Sequence, residues 1–153
     1  MQNKQQLKDR VAIVTGGGKG IGRSIVLAYA EQGANLVVCG RNFSLLEGVS
    51  REVGEMGISV LPVRADVSVE SEVENMVERA LKQFGKIDIL VNNAGIPGPL
   101  GLITDISKEG WDEVININLA GVFLCSRAVL RHMMERRTWL SVWVPYSPRS
   151  VSG

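Results

Sequence analysis

Apolar residues along this chain come in short continuous runs, separated by longer stretches with helical spacing. Val11–Thr15 is an unbroken apolar run, as expected of a strand buried on both faces. Ile21, Ser24, Ile25, Ala28 and Tyr29 then recur at helical spacing until Gly33 stops the helix. Asn35–Cys39 reads as a second strand. Phe43–Met56 reads as a helix weakened by Gly48 and Gly54, each costing roughly 1 kcal/mol. Val60–Val63 is a third strand. Ser68 is placed to cap a helix whose apolar stripe is Val73, Met76, Val77, Ala80, Leu81 and Phe84. Glu70 and Glu72 favour its first turn and Gly85 ends it. Ile87–Val91 is a fourth strand, residues 97–101 form a loop, and a long helical region runs from about Ser107 to Arg137.

Strict alternation of strand and helix implies one α/β domain, a doubly wound parallel sheet of Rossmann type with helices on both faces. The 153 residues suffice for one domain with a real core. The pattern breaks after residue 137. Thr138–Ser150 reads TWLSVWVPYSPRS, with two of the chain's three tryptophans and two of its five prolines. Leu140–Val144 is a candidate fifth strand that Pro145 and Pro148 would end. Residues 138–153 are a divergent tail, and the sheet is expected to be incomplete on its C-terminal side.

Composition narrows the function classes. Seventeen basic and 16 acidic residues are well mixed, for a net charge of +1. No basic stripe argues for nucleic acid. Cys39 and Cys125 stand singly in apolar runs, as buried small hydrophobes and not as a disulfide or metal pair. His132 has no plausible metal or nucleophile partners and reads as a surface residue near a helix end, so no metal site is expected. No secretory leader is legible, and no apolar run approaches the ~20 residues that span a bilayer. A cytoplasmic location without membrane contact is the expectation.

Five motifs carry the chemistry. Thr15-Gly16-Gly17-Gly18-Lys19-Gly20-Ile21-Gly22 joins a buried strand to a helix. Its G-x-x-x-G-x-G spacing lets the backbone approach phosphates, and the helix N-terminus supplies free N–H groups and positive potential. The second strand ends in Cys39-Gly40-Arg41-Asn42. An acidic residue there would accept from a ribose 2′-hydroxyl and repel a 2′-phosphate. Arg41 and Lys19 instead favour a 2′-phosphate, hence NADP(H) over NAD(H). Ala65-Asp66-Val67 follows the third strand, where a carboxylate could accept from an adenine amino group. A plain helix-capping role for Asp66 or Ser68 fits the same residues. Asn92-Asn93-Ala94-Gly95 ends the fourth strand, where ligands of open α/β sheets sit. Finally, Asn116 and Asn118 lie in the apolar stretch Trp111–Phe123. Asn is a poor helix-interior residue, and one of the two can interrupt the helix locally. Trp111 is expected to pack.

Together these motifs resemble the short-chain dehydrogenase/reductase family, from about Leu7 to Arg137. The resemblance implies that Gly16, Gly18, Gly20, Ile21 and Gly22 line a pyrophosphate. Arg41 and Lys19 would meet the 2′-phosphate, Asp66 and Val67 would hold adenine, and Asn93, Ala94 and Gly95 would back the adenine ribose. Asn118 matches the family's proton-relay asparagine. The implied activity is oxidoreduction of a small ketone or alcohol substrate, as in 3-oxoacyl-thioester reductases and sugar or polyol dehydrogenases. In such enzymes a serine polarises the carbonyl, and a tyrosine beside a lysine moves the proton. A phenol with a pKa near 10 needs such a cation to act at neutral pH.

The match stops at that proton donor. Residues four after Tyr29 and Tyr146 are Gly33 and Ser150, so no Tyr-x-x-x-Lys is present. Ser150-Val151-Ser152-Gly153 resembles the family's serine segment, with Ser150 in the catalytic place. The chain is therefore expected to be C-terminally truncated and unable to turn over carbonyl substrates. A non-catalytic dinucleotide-binding module and a non-functional gene product are the alternative readings. An open edge at the fifth strand, and an uncovered helix face with Val122, Phe123, Val129, Leu130 and Met133, lead to an expectation of poor solubility. The relatives' mode of oligomerisation is not carried over.

Overall fold

The computed structural model describes residues 5–136 and the two-residue strand Val142–Trp143. Strands β1 (Val11–Thr15), β2 (Asn35–Gly40), β3 (Val60–Arg64), β4 (Ile89–Val91) and β5 (Val142–Trp143) form one parallel sheet in the order β3-β2-β1-β4-β5. The chain builds outward from β1 to β3, then returns to lay β4 on the other side of β1. That reversal lies between the β1 and β4 carboxyl ends, where open α/β sheets bind ligands. The sheet is thus a doubly wound, Rossmann-like one.

Period-two alternation sorts the strand residues onto two faces. Ala12, Val14, Leu36, Val38, Ile89 and Val91 pack under α1 (Gly20–Glu31) and α2 (Phe43–Glu55). Ile13, Val37, Cys39, Val63 and Leu90 face α3 (Glu70–Phe84) and α5 (Gly121–Glu135). All five residues of β1 are buried, which explains its unbroken apolar run. Gly48 and Gly54 lie on the exposed face of α2, where a helical glycine is tolerated. Burial pushes the Cys39 thiol far above its ordinary value, Cys125 adding to the effect, and burial pushes Cys125 up to about 12. Both are protonated core groups at neutral pH.

Several expectations need correction. Helix α3 starts at Glu70 with Val69 as an N-cap that offers no side chain, so Ser68 is not the cap. Ser68 instead donates both its N–H and its hydroxyl to Asp66, at 2.9 and 2.6 Å. The fourth strand begins at Ile89, two residues later than expected. Asp88, 4% exposed, turns its carboxylate onto the Val11 N–H at 2.9 Å, with Lys86 at 3.3 Å and Arg10 at 3.7 Å. The long helical region, by contrast, is interrupted where Asn116 and Asn118 led one to expect it, by a π turn (Asn116–Ala120) between α4 (Lys108–Ile115) and α5. Read as one run, Lys108–Glu135 spans 28 residues with a stretch of mean hydropathy 1.4, long and apolar enough to cross a membrane by length and composition. The sequence reading missed this because polar Asn116 and Asn118 divide the run.

A further correction concerns the outer face of α5. Val129 and Met133 are buried against α3, and Val122 and Leu130 are half-buried. The exposed apolar side chains are Leu119, Phe123 and Met134. Arg127 lies over the Phe123 ring at 4.8 Å and pairs with Glu70, which ties α5 to α3. Trp111, expected to pack, is 51% exposed, because α4 buries none of its residues. Of the candidate fifth strand, Val142–Trp143 pairs with Leu90–Val91; the remainder of residues 140–144 lies outside the described residues, as do Tyr146 and Ser150.

Removing Asp88 leaves the buried Val11 N–H without its partner. Asp88→Ala should cost about 1–3 kcal/mol in urea unfolding of the chain. A change within about 0.5 kcal/mol, the range of ordinary surface substitutions, would contradict this account of the β1 start.

Candidate functional site

A cleft of about 220 Å³ opens at the carboxyl edge of the sheet, beside the β1–β4 reversal. Its walls come from the glycine turn, the tip of β2, the β3–α3 loop and the loop after β4.

Thr15, at the end of β1, holds the floor. Its hydroxyl donates to the Val91 carbonyl at 3.3 Å and accepts from the Asn93 and Ala94 N–H groups at 3.0 Å each. One donor and two acceptor positions are all used, the full capacity of a hydroxyl. The Asn93 side-chain amide answers by donating to the Thr15 and Gly16 carbonyls at 3.0 and 3.2 Å. These bonds lock the turn after β1 to the turn after β4. On the other flank the Gly17 N–H donates to the Cys39 carbonyl at 3.2 Å.

The glycines are there for space. Gly16 takes a φ of +65, which favours glycine. Gly22 sits directly beneath it, and a Cβ there would run into the Gly16 carbonyl and the Asn93 amide. The turn leads into α1, whose start has no side-chain cap at Lys19 and no acid in its first turn. Its N–H groups and the positive end of its dipole are left for an anion. The other helices that follow the strands differ; α4 is capped by Ser107, which accepts from the Gly110 N–H at 3.1 Å. Asn42 caps α2 by accepting from the Leu45 N–H at 3.4 Å, and α3 carries Glu70 and Glu72 in its first turn.

Arg41 stands at the tip of β2 with its guanidinium 3.9 Å from Glu113 of α4. Arg64, at the end of β3, donates to the Arg41 carbonyl at 3.3 Å. Asp66 is only partly buried. That burial raises its carboxyl pKa, but the two bonds from Ser68 and the charge of Arg41 outweigh it and hold the group below its ordinary 3.8. The Asp66 N–H donates to Glu72 at 2.7 Å, which fixes the loop beneath the carboxylate. Across the cleft, Asn118 sits in the π turn, a widened helical turn frequent at functional sites. Its amide donates to the Ile96 carbonyl and accepts from the Ile96 N–H, both at 2.9 Å.

Of the residues singled out in the sequence, Gly16, Gly18, Lys19, Arg41, Asp66, Val67, Ala94 and Gly95 line the cleft. Gly20 and Ile21 lie on its outer side at the start of α1, while Gly22 and Asn93 support it from beneath. Asn118 is not among the lining residues but lies behind Gly95 and bonds the Ile96 backbone, and Gly95 and Ile96 both line the cleft. Leu45, Leu46, Ile96 and Ile117 also line the cleft and were not identified beforehand. Their apolar character gave no signal distinct from ordinary packing. Thr15 was read only as a strand end, although a hydroxyl closing an apolar run asks for buried partners.

This arrangement of strand, glycine turn, open helix terminus and Asn-Asn-Ala-Gly turn is that of one protein class, and the sequence comparisons agree. The model of the short chain dehydrogenase family matches residues 10–139, and the chain belongs to that family. It is 39% identical over 131 residues to "(2S)-[(R)-hydroxy(phenyl)methyl]succinyl-CoA dehydrogenase subunit BbsD" of Thauera aromatica, covering 86% of this chain and 52% of that protein. The crystal structure of a 3-ketoacyl-ACP reductase from Sinorhizobium meliloti superposes with a TM-score of 0.80 at 38% identity, over 82% of this chain and 49% of that one. A 3-ketoacyl-(acyl-carrier-protein) reductase from Brucella melitensis, complexed with NADH, gives 0.81 at 37% identity, over 86% and 53%. The chain spans about half the length of the curated relatives it matches.

Two measurements test the site's construction. Gly22→Ala should destabilise the chain by about 1–3 kcal/mol through overpacking. Gly54→Ala, on the open face of α2, should stabilise it by about 0.4–1 kcal/mol. Equal effects would contradict the assigned close approach. Asp66 contributes stability that is fully present above its unfolded pKa and is lost as pH falls through its lower folded value. The stability difference between wild type and Asp66→Asn, from urea melts, should be constant above about pH 4 and shrink below it. A difference that grows on acidification would contradict the assignment.

Proposed function

We propose that this chain is the cofactor-binding part of an NADP(H)-dependent oxidoreductase acting on a small ketone or alcohol. The observation that carries this reading is the open N-terminus of α1, uncapped and free of carboxylates, beside a β2 tip that bears Arg41 in place of an acid. When bound, the nicotinamide would supply or accept hydride. The glycine turn from Gly16 to Gly22 would hold the pyrophosphate through backbone N–H groups. Gly16 and Gly22 have no room for side chains there, which fits a close backbone approach. Asp66 would accept from the adenine amino group while Val67 packs on the ring. Asn93, Ala94 and Gly95 would back the ribose, with Asn93 acting through the glycine turn it supports. Arg41 and Lys19 would take the 2′-phosphate, although the Brucella relative is complexed with NADH.

Asn118 is proposed to position the wall of the substrate side, since both ends of its amide are committed to Ile96. Ser150 is the proposed carbonyl-polarising group. A proton donor of the Tyr-x-x-x-Lys kind is missing from the 153 residues. We therefore propose that they bind cofactor without turning over carbonyl substrates. A dinucleotide-binding module is the second reading, favoured by the completeness of the cofactor side alone. A soluble cytoplasmic location is proposed with it, supported by the burial of Val129 and Met133 of α5 in the core.

Isothermal titration of the chain with NADPH and NADH tests the assignment. NADPH should bind the more tightly, and Arg41→Ala with Lys19→Ala should erase the preference, by tenfold or more for two lost charge-assisted bonds at roughly 1 kcal/mol each. Equal binding of both cofactors by the wild type would overturn it. Steady oxidation of NADPH with a ketone would overturn the proposed inactivity.

A further inference from the structure

The geometry points to Glu113 as a residue that discriminates between cofactors, by competing with a 2′-phosphate for Arg41. The inference rests on the assignment of Arg41 to that phosphate. Glu113 lies on α4, 72 residues after Arg41 in the chain, yet its carboxylate stands 3.9 Å from the Arg41 guanidinium. Among the described residues it pairs with no other cation. Asp112, its neighbour on α4, is taken by Lys108. Arg41 also faces Asp66, whose carboxyl it holds down, and Arg64 bonds its carbonyl. The guanidinium at the β2 tip thus already has a carboxylate partner from the protein itself.

Both members of the pair are more than half exposed, so the bridge is weak and exchangeable. Helix α4 fully buries none of its residues, and its Gly110 and Val114 lie against the loop at Pro99 and Gly98. A phosphate dianion arriving at Arg41 therefore displaces Glu113 without unpacking a core. The displaced carboxylate remains nearby and repels the phosphate through a partly screened field. A ligand without the 2′-phosphate meets no such opposition. Glu113 is thus a brake on NADP(H) preference, set against the attraction of Arg41 and Lys19.

Adenosine 2′,5′-bisphosphate and 5′-AMP differ only in the 2′-phosphate, so their ratio of affinities isolates the effect. The probes are titrated calorimetrically into the full chain, as wild type, Glu113→Gln and Glu109→Gln, at low and high salt. Glu109 lies on the same helix outside the pair, so its variant changes net charge alone. Glu113→Gln should raise the bisphosphate-to-AMP ratio about fivefold at low salt, with the gain shrinking at high salt. Glu109→Gln should leave the ratio unchanged. A ratio unaltered by Glu113→Gln, or altered equally by Glu109→Gln, would overturn the inference. The wild-type ratio reads the Arg41 assignment separately. A wild-type ratio above one that Glu113→Gln leaves unchanged removes only the role of Glu113. A ratio of one in both proteins removes both assignments.

Discussion

The structure depends most on one buried hydroxyl. Thr15 ends β1 where the sheet reverses direction, and two turns from distant parts of the chain must meet there. Without side-chain partners, the Asn93 and Ala94 N–H groups would be partly buried donors with no acceptor from the protein. The Thr15 oxygen accepts both, and its hydroxyl donates a hydrogen bond to the Val91 carbonyl. Asn93 closes the circuit on the Thr15 and Gly16 carbonyls. The glycine turn is thereby fixed before any ligand arrives. A preformed turn spares a binding partner the entropy of ordering it.

Charge is distributed around that fixed turn with a clear asymmetry. Three of the four helices that follow β1 to β4 satisfy or neutralise their N-termini, α2 through Asn42, α3 through Glu70 and Glu72, and α4 through Ser107 and Glu109. Helix α1 does neither. Its positive terminus, Lys19 and Arg41 make the region above the glycine turn attractive to anions, while Asp66 supplies a hydrogen-bond acceptor a short distance away. Apolar Val67, Leu45, Ile96 and Ile117 complete the walls. A ligand that is anionic along its length, with a flat ring at one end, fits such a surface better than a neutral one.

The sequence made the buried centre of the fold legible and the rim less so. Strands β1 and β2 and helix α1 were readable because both faces of the strands are covered, leaving no polar alternation to confuse the pattern. Strand β3 was equally legible, bounded by Gly57 and the Ala65-Asp66 turn. Errors arose where a polar side chain had two local options. Ser68 had the spacing of a cap, but Asp66 lay two residues away and took both its donors. Asp88 was read as part of the fourth strand, and only the fold brings Val11 to it across 77 residues. The outer face of α5 was misjudged because helical periodicity shows which residues share a stripe, not which stripe meets α3. In the site, the glycine spacing and the Asn-Asn-Ala-Gly turn carried their own meaning. The apolar walls and the Arg41–Glu113 pair did not, since they arise from elements far apart in sequence. The absence of Tyr-x-x-x-Lys was the plainest feature in the sequence.

The central claim is that the turn locked by Thr15 and Asn93 is a dinucleotide site. The most direct test is amide chemical-shift mapping of the isotope-labelled chain during titration with NADPH. The account predicts saturable shifts concentrated at Gly16–Gly22, Arg41, Asp66–Val67 and Asn93–Gly95, with the distant ends of α1, α2 and α3 unmoved. Shifts that fail to saturate, or that gather on the exposed Leu119, Phe123 and Met134 face of the last helix, would contradict it.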